Sequence, residues 1–300
     1  MHQLGILFVL VSMGMSLGAA EPADTPLEGS NREPFESGGR RGLVSAAFQG
    51  GRLQITWDLG ARPGTNEGSP RVIASTDAPG HWAVRDWRAW PMTAVEGGWE
   101  ARLPLLSASV PVVYFVEDAG SRETRQSSMR CFWPQRAGVL EPTLAFRGFL
   151  EGFEQGLVGW EWGGSGDGGA WMTVSTNAWA GRGALRLEVP TGRGSATVGT
   201  VRVRGWMLDE FQPKAISMAV RMESGEGRLR LALHGHARTE ALAVYPALDP
   251  ISVSAEWQRV EVPLKQFVHL RNALVDWMTL QLLADSGRAV LVDEVELVLR

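Results

Sequence analysis

The chain has 300 residues, enough for two domains or one large one. Apolar residues make up 44% and charged residues 21%, a balance that excludes wholesale disorder. Lys and Arg number 29 against 33 Asp and Glu, a net charge of -4, which argues against a protein built to neutralise nucleic-acid phosphates. A single Cys excludes an internal disulfide and a zinc site made of several cysteines. Trp (13) outnumbers Phe (10) and Tyr (2) together, an excess that needs explaining.

Residues 4–17 are almost wholly apolar and run into Gly18-Ala19-Ala20, then Glu21-Pro22. An apolar run ending in small residues reads as an export signal cleaved after Ala20, although its front carries His2 and no Lys or Arg. The competing reading is a membrane anchor, for which this run falls short of the about 20 apolar residues a span requires. Residue 21 is Glu, so attachment through a lipidated first cysteine is excluded, and no later stretch has the length and apolarity of a span. The expectation is a secreted or periplasmic protein. Residues 21–42, rich in Pro, Gly, Glu and Arg, read as a flexible leader.

From residue 43 short alternating runs begin. Leu53, Ile55, Trp57 and Leu59 alternate with Gln54, Thr56 and Asp58, the period-two pattern of a half-buried strand. Further strand candidates are residues 71–76, 99–104, 112–116 and 125–132, separated by turns such as Asp77-Ala78-Pro79-Gly80 and Glu96-Gly97-Gly98. The spacing fits a sandwich of six or seven strands over residues 43–134. Trp82, Trp87 and Trp90 read as a packed inter-sheet cluster, or else as an exposed aromatic loop. Cys131, between Arg130 and Phe132, reads as a buried thiol, with intermolecular pairing as the other reading. Residues 135–146, with no clear period, read as a linker.

The second half alternates more plainly. Leu185, Leu187 and Val189; Ile216, Met218, Val220 and Met222; Leu229, Leu231 and Leu233; and Met278, Leu280 and Leu282 each interleave with polar or small residues. Residues 257–262 alternate too, and residues 290–299 form a long apolar strand. The only helix pattern is residues 206–211. About 150 residues of strands with almost no helix point to a jelly-roll sandwich over residues 147–300.

Two resemblances follow from these motifs. Trp57-Asp58-Leu59, Gly80-His81-Trp82, Met92-Thr93, residues 97–104 and Val113-Tyr114-Phe115-Val116-Glu117-Asp118, in that order, resemble the immunoglobulin- or fibronectin-III-like accessory domains of secreted bacterial proteins. In the second half, Phe153-Glu154-Gln155-Gly156 with Gly159-Trp160, the turn Ala180-Gly181-Arg182-Gly183 into Ala184-Leu185, Trp257 before Pro263-Leu264, and Asp293-Glu294 on the last strand resemble carbohydrate-binding-module jelly rolls of the galactose-binding-like superfamily. The second resemblance implies polysaccharide as partner. It also implies a structural calcium, with Glu154 and Asp293 as ligands beside carbonyls of the 177–184 turn. Asp293-Glu294 where the family more often has two Asp, and Gln155 where it often has Asp, are departures that bear on that calcium and not on the fold.

Asp293 shares an alternate-residue row with Leu291, Val295, Leu297 and Leu299, so the pattern points its carboxylate at the core or its rim. A buried carboxylate needs a partner: an ion with six to eight oxygen ligands, or backbone N–H groups, or an arginine such as Arg182. Strands carrying Arg228, Arg230 and His234, Ser217 and Arg221, and Trp277, Thr279 and Gln281 would form one polar face if they were neighbours. Sugars bind flat aromatic rings through their C–H patches and planar polar groups through their hydroxyls. Trp277, Tyr245 and Trp206 are the stacking candidates, and Arg230, His234 and Gln281 the hydrogen-bonding ones. The other reading of the arginines is an ordinary solvated outer face. Trp57, Trp99, Trp160 and Trp257 are expected to be buried.

Enzymatic patterns are weak. Residues 163–169 are glycine-rich but no helix pattern follows, as a phosphate cradle requires. His234 and His236 could share a metal, yet no third ligand stands near them in sequence. No serine-nucleophile elbow occurs in strand-to-helix context, and paired acids for glycoside hydrolysis show no motif. The sequence therefore reads as an exported, non-catalytic carbohydrate-binding protein. Its rivals are an adhesive module contacting proteins at the cell surface and a glycan-active hydrolase or lyase.

Overall fold

The structure, a computed structural model, describes residues 32–37, 40–60, 69–76, 86–118, 124–162, 171–236, 242–272 and 275–299. The expected export signal, Trp82 and the glycine-rich segment 163–169 lie outside the described residues, as does the side chain of His236. The chain divides into two units, Met1–Ala145 and Phe146–Arg300. No helix among the described residues is long and apolar enough to cross a membrane.

The first unit contains β1 (Arg32–Ser37), β2 (Arg40–Gln49), β3 (Arg52–Asp58), β4 (Arg71–Thr76), β5 (Arg88–Pro91), β6 (Thr93–Val95), β7 (Gly98–Leu103), β8 (Val112–Asp118), β9 (Arg125–Gln126) and β10 (Arg130–Phe132). They form two sheets, β1-β2-β3-β7-β6 and β10-β8-β4-β5, with β9 on the flank of β8. Alternation decides which residues meet inside: Leu53, Ile55 and Trp57 of β3 are fully buried together with Val72, Trp99 and Val116. Each such side chain contributes about 1.5–3 kcal/mol on leaving water.

Three expectations change here. The leader was expected to be flexible to residue 42, but β1 pairs with β2 along its length. Phe35 is buried and packs at 4.9 Å on Trp57, so one aromatic anchor orders a segment whose composition alone looks disordered. The segment expected as a linker also belongs to the first unit. Leu105 donates to Thr143 Oγ1 at 2.8 Å and its carbonyl accepts from Thr143 and Leu144, while Val139 enters the core. Cys131 is half-buried on β10, not fully buried.

The second unit contains β11 (Phe149–Glu151), β12 (Trp160–Trp162), β13 (Trp171–Ser175), β14 (Ala184–Glu188), β15 (Ser195–Thr200), α1 (Gly205–Phe211), β16 (Ala215–Met222), β17 (Gly227–His236), β18 (Leu242–Pro246), β19 (Ile251–Val253), β20 (Gln258–Pro263), β21 (Val275–Leu283) and β22 (Ala289–Val298). It is a jelly-roll sandwich. One sheet runs β13-β14-β22-β16-β20 with β11 on β22, and the other β12-β15-β21-β17-β18 with β19 on β17. All pairs are antiparallel. Leu185, Ile216, Met218, Leu231, Leu280 and Val292 from both sheets close on Phe153 and Trp160 in one core. The first of these is the β22 sheet and the second the β21 sheet.

A bulge in β22 overturns the expected direction of Asp293. Register slips between Ser217 and Ala219 on β16, and Glu294 takes a left-handed φ of 44°. One extra residue there reverses the alternation. Val290 and Val292 face the core before it, and Val295 and Leu297 after it. Leu291 and Asp293 thus stand on the outer face, yet both are fully buried.

Candidate functional site

The outer face of the β21 sheet is set by register. His234 on β17 stands opposite Trp277 on β21, and Arg230 stands opposite Gln281. Between these two rows lie Ala232 and Thr279, with Gly199 of β15 continuing the row. Thr197 extends the Arg230–Gln281 row across β15. Four residues along a strand separate His234 from Arg230, about 13 Å. Two rows of large side chains therefore flank a floor of small ones. Past Arg230 the next row is Arg228, Leu283 and Ser195, and there a cleft of about 780 Å³ opens, lined by Glu226, Arg228, Ser252, Gln258 and Asp285 among others.

The row at the other end is braced internally. The His234 and Trp277 rings stack at 5.1 Å and 4°. His234 Nε2 and the Thr279 hydroxyl are 2.8 Å apart, while Nδ1 is buried with no hydrogen bond among the described residues. Burial pushes the His234 pKa down from 6.5, so the imidazole is neutral at neutral pH. Arg228 and Arg230 are exposed and make no ion pair among the described residues.

Four of the sequence candidates, Trp277, Gln281, Arg230 and His234, thus meet on one face. Two do not. Tyr245 is 6% exposed and part of the core, because β18 turns its odd residues inward and leaves Val244 outside opposite His234, so its ring is closed to a ligand. Trp206 lies on α1, half-buried against the core and edge-on to Phe211 at 5.8 Å. Ser217 and Arg221 belong to β16, in the opposite sheet, and are not part of this face. Thr197 and Gly199 were missed. The signal was present in Ser195-Ala196-Thr197-Val198-Gly199, whose alternation is short and built from small residues.

Glu154 and Asp293 come to the same turn but are met by N–H groups. Asp293 Oδ2 accepts from the backbone of Trp179 at 2.9 Å and Ala180 at 3.0 Å, and its Oδ1 from Glu294 at 2.7 Å. Glu154 Oε1 accepts from Arg182 N–H at 2.7 Å. Gly181 between them has φ 66°, and the Glu154 carboxylate lies where a Cβ would stand. Despite its three N–H bonds, burial leaves the Asp293 pKa raised above 3.8. Calcium is coordinated by six to eight oxygens; two carboxylates turned toward N–H donors do not fit that demand. Trp257, expected in a core, is only half-buried, beside Trp179.

No protein-family model matches the sequence, and no curated protein matches it. Among solved structures, a family 11 carbohydrate-binding module from Clostridium thermocellum, in complex with a β-1,3-1,4-mixed-linked tetrasaccharide, is similar at TM-score 0.39 and 16% identity, covering 50% of this chain and 94% of that one. The CBM22-1 xylan-binding domain from Paenibacillus barcinonensis is similar at TM-score 0.35 and 19% identity, covering 52% and 97%. An exo-β-agarase is similar at TM-score 0.39 and 12% identity, covering 51% of this chain and 25% of the enzyme. At these scores and identities the likeness carries neither ligand nor reaction over to this chain.

Proposed function

We propose that this is an exported protein whose second unit binds polysaccharide, without acting on it, on the outer face of the β21 sheet. The observation that carries the reading is the pairing of rows: His234–Trp277 on one side of a small-residue floor and Arg230–Gln281 on the other. The indole offers a flat surface to sugar C–H groups. The guanidinium and the carboxamide offer planar sets of hydrogen-bonding atoms to hydroxyls. His234 braces the indole from one side, so less side-chain freedom is lost on binding. The first unit's strand order, β1-β2-β3-β7-β6 against β10-β8-β4-β5, supports reading it as an immunoglobulin-like accessory or spacer domain.

The test is affinity electrophoresis in gels containing mixed-linkage β-glucan, xylan, amorphous cellulose or agarose. The full chain is expected to be retarded by at least one, and the double variant W277A/Q281A to migrate as in an empty gel. Folded protein that none of the four retards would overturn the reading and favour a protein-contacting module. Release of shortened sugars from the retarding polymer would instead make it an enzyme.

A further inference from the structure

The β22 sheet carries an aromatic corner that the glycan face does not use. Trp179, in the segment between β13 and β14, is 44% exposed. Its ring meets Trp257, just before β20, at 6.1 Å and 66°. The Arg221 guanidinium lies 5.8 Å over the Trp257 ring, and its Nε is buried without a hydrogen bond among the described residues. An exposed indole on a loop would ordinarily be mobile. This one is mounted on a turn that Asp293 and Glu154 hold through three backbone N–H groups, those of Trp179, Ala180 and Arg182.

We propose that Trp179, Trp257 and Arg221 form a second carbohydrate contact that takes one uncharged pyranose ring, with Asp293 as its positioning residue. The occupant follows from what surrounds the corner. Arg186 is engaged by Glu188 and Glu223, and Arg259 by Glu294 and Glu296, so these arginines keep no donors for an anion and their surplus carboxylates repel one, while the Arg221 guanidinium opposes a cation; an uncharged ligand is favoured. A stable protein interface needs about 800 Å² from each partner, and two indole rings bordered by ion pairs supply far less. One sugar ring matches the size, its C–H face against the exposed indole and a hydroxyl toward the outer edge of the half-buried Arg221 guanidinium. The outer faces of two packed sheets look in opposite directions. With a contact on each, the second unit would bridge two polymer strands instead of lying along one.

The test uses the full chain, its W179A, W277A and D293N variants, and the W179A/W277A double variant. Probes are soluble mixed-linkage β-glucan and xylan, and the mixed-linkage tetrasaccharide. Wild type is expected to raise the viscosity of the polymer solution by bridging. W179A should abolish that rise, and should weaken polymer retention about tenfold, as when one arm of a two-point attachment is removed. It should leave tetrasaccharide binding at the Trp277 face unchanged, and the double variant should bind nothing. D293N, which keeps an acceptor oxygen, should copy W179A on polymer and wild type on tetrasaccharide; a merely structural role would weaken both. Polymer retention and viscosity equal to wild type in W179A, with W277A silent on every probe, would overturn this inference and leave the β21 face standing. Retention by W277A equal to wild type, with none by W179A, would support the corner and overturn the β21 face. Failure of the wild type on all probes would overturn both.

Discussion

The two sheets of the second unit share one core yet differ outside. On the β22 sheet the guanidiniums are consumed: Arg186 meets Glu188 at 2.6 Å and Glu223 at 2.9 Å, and Arg259 meets Glu294 at 3.0 Å as well as Glu296. Both arginines are held more firmly protonated by these carboxylates. On the β21 sheet Arg228 and Arg230 have no such partner among the described residues, and they stand beside a floor of Ala232, Thr279 and Gly199. Alternation in sequence predicts an outward arginine equally well on either sheet. Whether a carboxylate sits on the neighbouring strand decides if that arginine completes a solvated surface or keeps its donors for a ligand.

The sharpest way to break the comparison is at Asp293, the buried anchor of the β22 sheet's outer layer. Asp293→Ala leaves the Trp179, Ala180 and Glu294 N–H groups without their acceptor, and is expected to cost about 3 kcal/mol of stability, the upper end of the range for buried donors left unsatisfied. A urea melt measures it. Because N–H groups already satisfy the carboxylate, a calcium chelator is expected to leave the wild-type midpoint unchanged. A midpoint that falls on chelation and recovers with calcium would show that the turn is held by an ion after all. No single substitution on the β21 outer face should approach this cost.

Trp277 comes next, and there the loss should appear in binding. Truncating a central indole costs about 2 kcal/mol, roughly thirtyfold in affinity, so Trp277→Ala should weaken gel retardation by about that factor while its melt stays close to wild type. A large fall in stability without loss of retardation would mean that Trp277 serves the sandwich and not a ligand.

What was legible beforehand follows the same division. Strands such as β16, β17 and β21 were readable because Ile216, Leu229 and Met278 begin alternations whose inner face is wholly apolar. Register was not readable, and register is what sets Trp277 beside His234. Nor could the sequence show that β16 sits in the other sheet, since its polar residues alternate just as those of β17 do. The outward turn of Asp293 depends on one bulged residue, Glu294. Its burial depends on residues 179–182 folding back across the sheet, a contact 113 or 114 positions distant along the chain. Tyr245 failed as a candidate for a simpler reason: β18 is short, and a one-residue choice of phase decides which of Val244 and Tyr245 faces the core.

Matched arginine variants sharpen the contrast at a smaller scale. Arg259→Ala should cost up to about 1 kcal/mol of stability, the usual ceiling for a partly exposed ion pair, and leave tetrasaccharide binding intact. Arg230→Ala should stay within about 0.5 kcal/mol of wild type in the melt, as surface changes usually do, and should weaken binding several-fold. An exchange of these two outcomes would reverse the roles assigned to the sheets.

The smallest expected effect is a pH dependence that belongs to the β21 face. Burial lowers the His234 pKa below 6.5 in the folded chain. The unfolded chain therefore takes up the proton first as pH falls. Stability should be flat above about pH 7.5, decline as pH drops through 6.5, and level out below the folded value. Asp293 acts with the opposite sign and lower down: its pKa is raised above 3.8, so the folded chain takes up that proton first, and stability is gained as pH falls through the raised value. The two windows can be separated by His234→Gln, which keeps a planar side chain that cannot titrate. Thermal melts of wild type and variant between pH 7.5 and 5.5 should differ in slope, with the variant flatter. Equal slopes would mean that the imidazole is hydrated as freely in the fold as outside it, and the stacked, half-buried brace beside Trp277 would have to be abandoned.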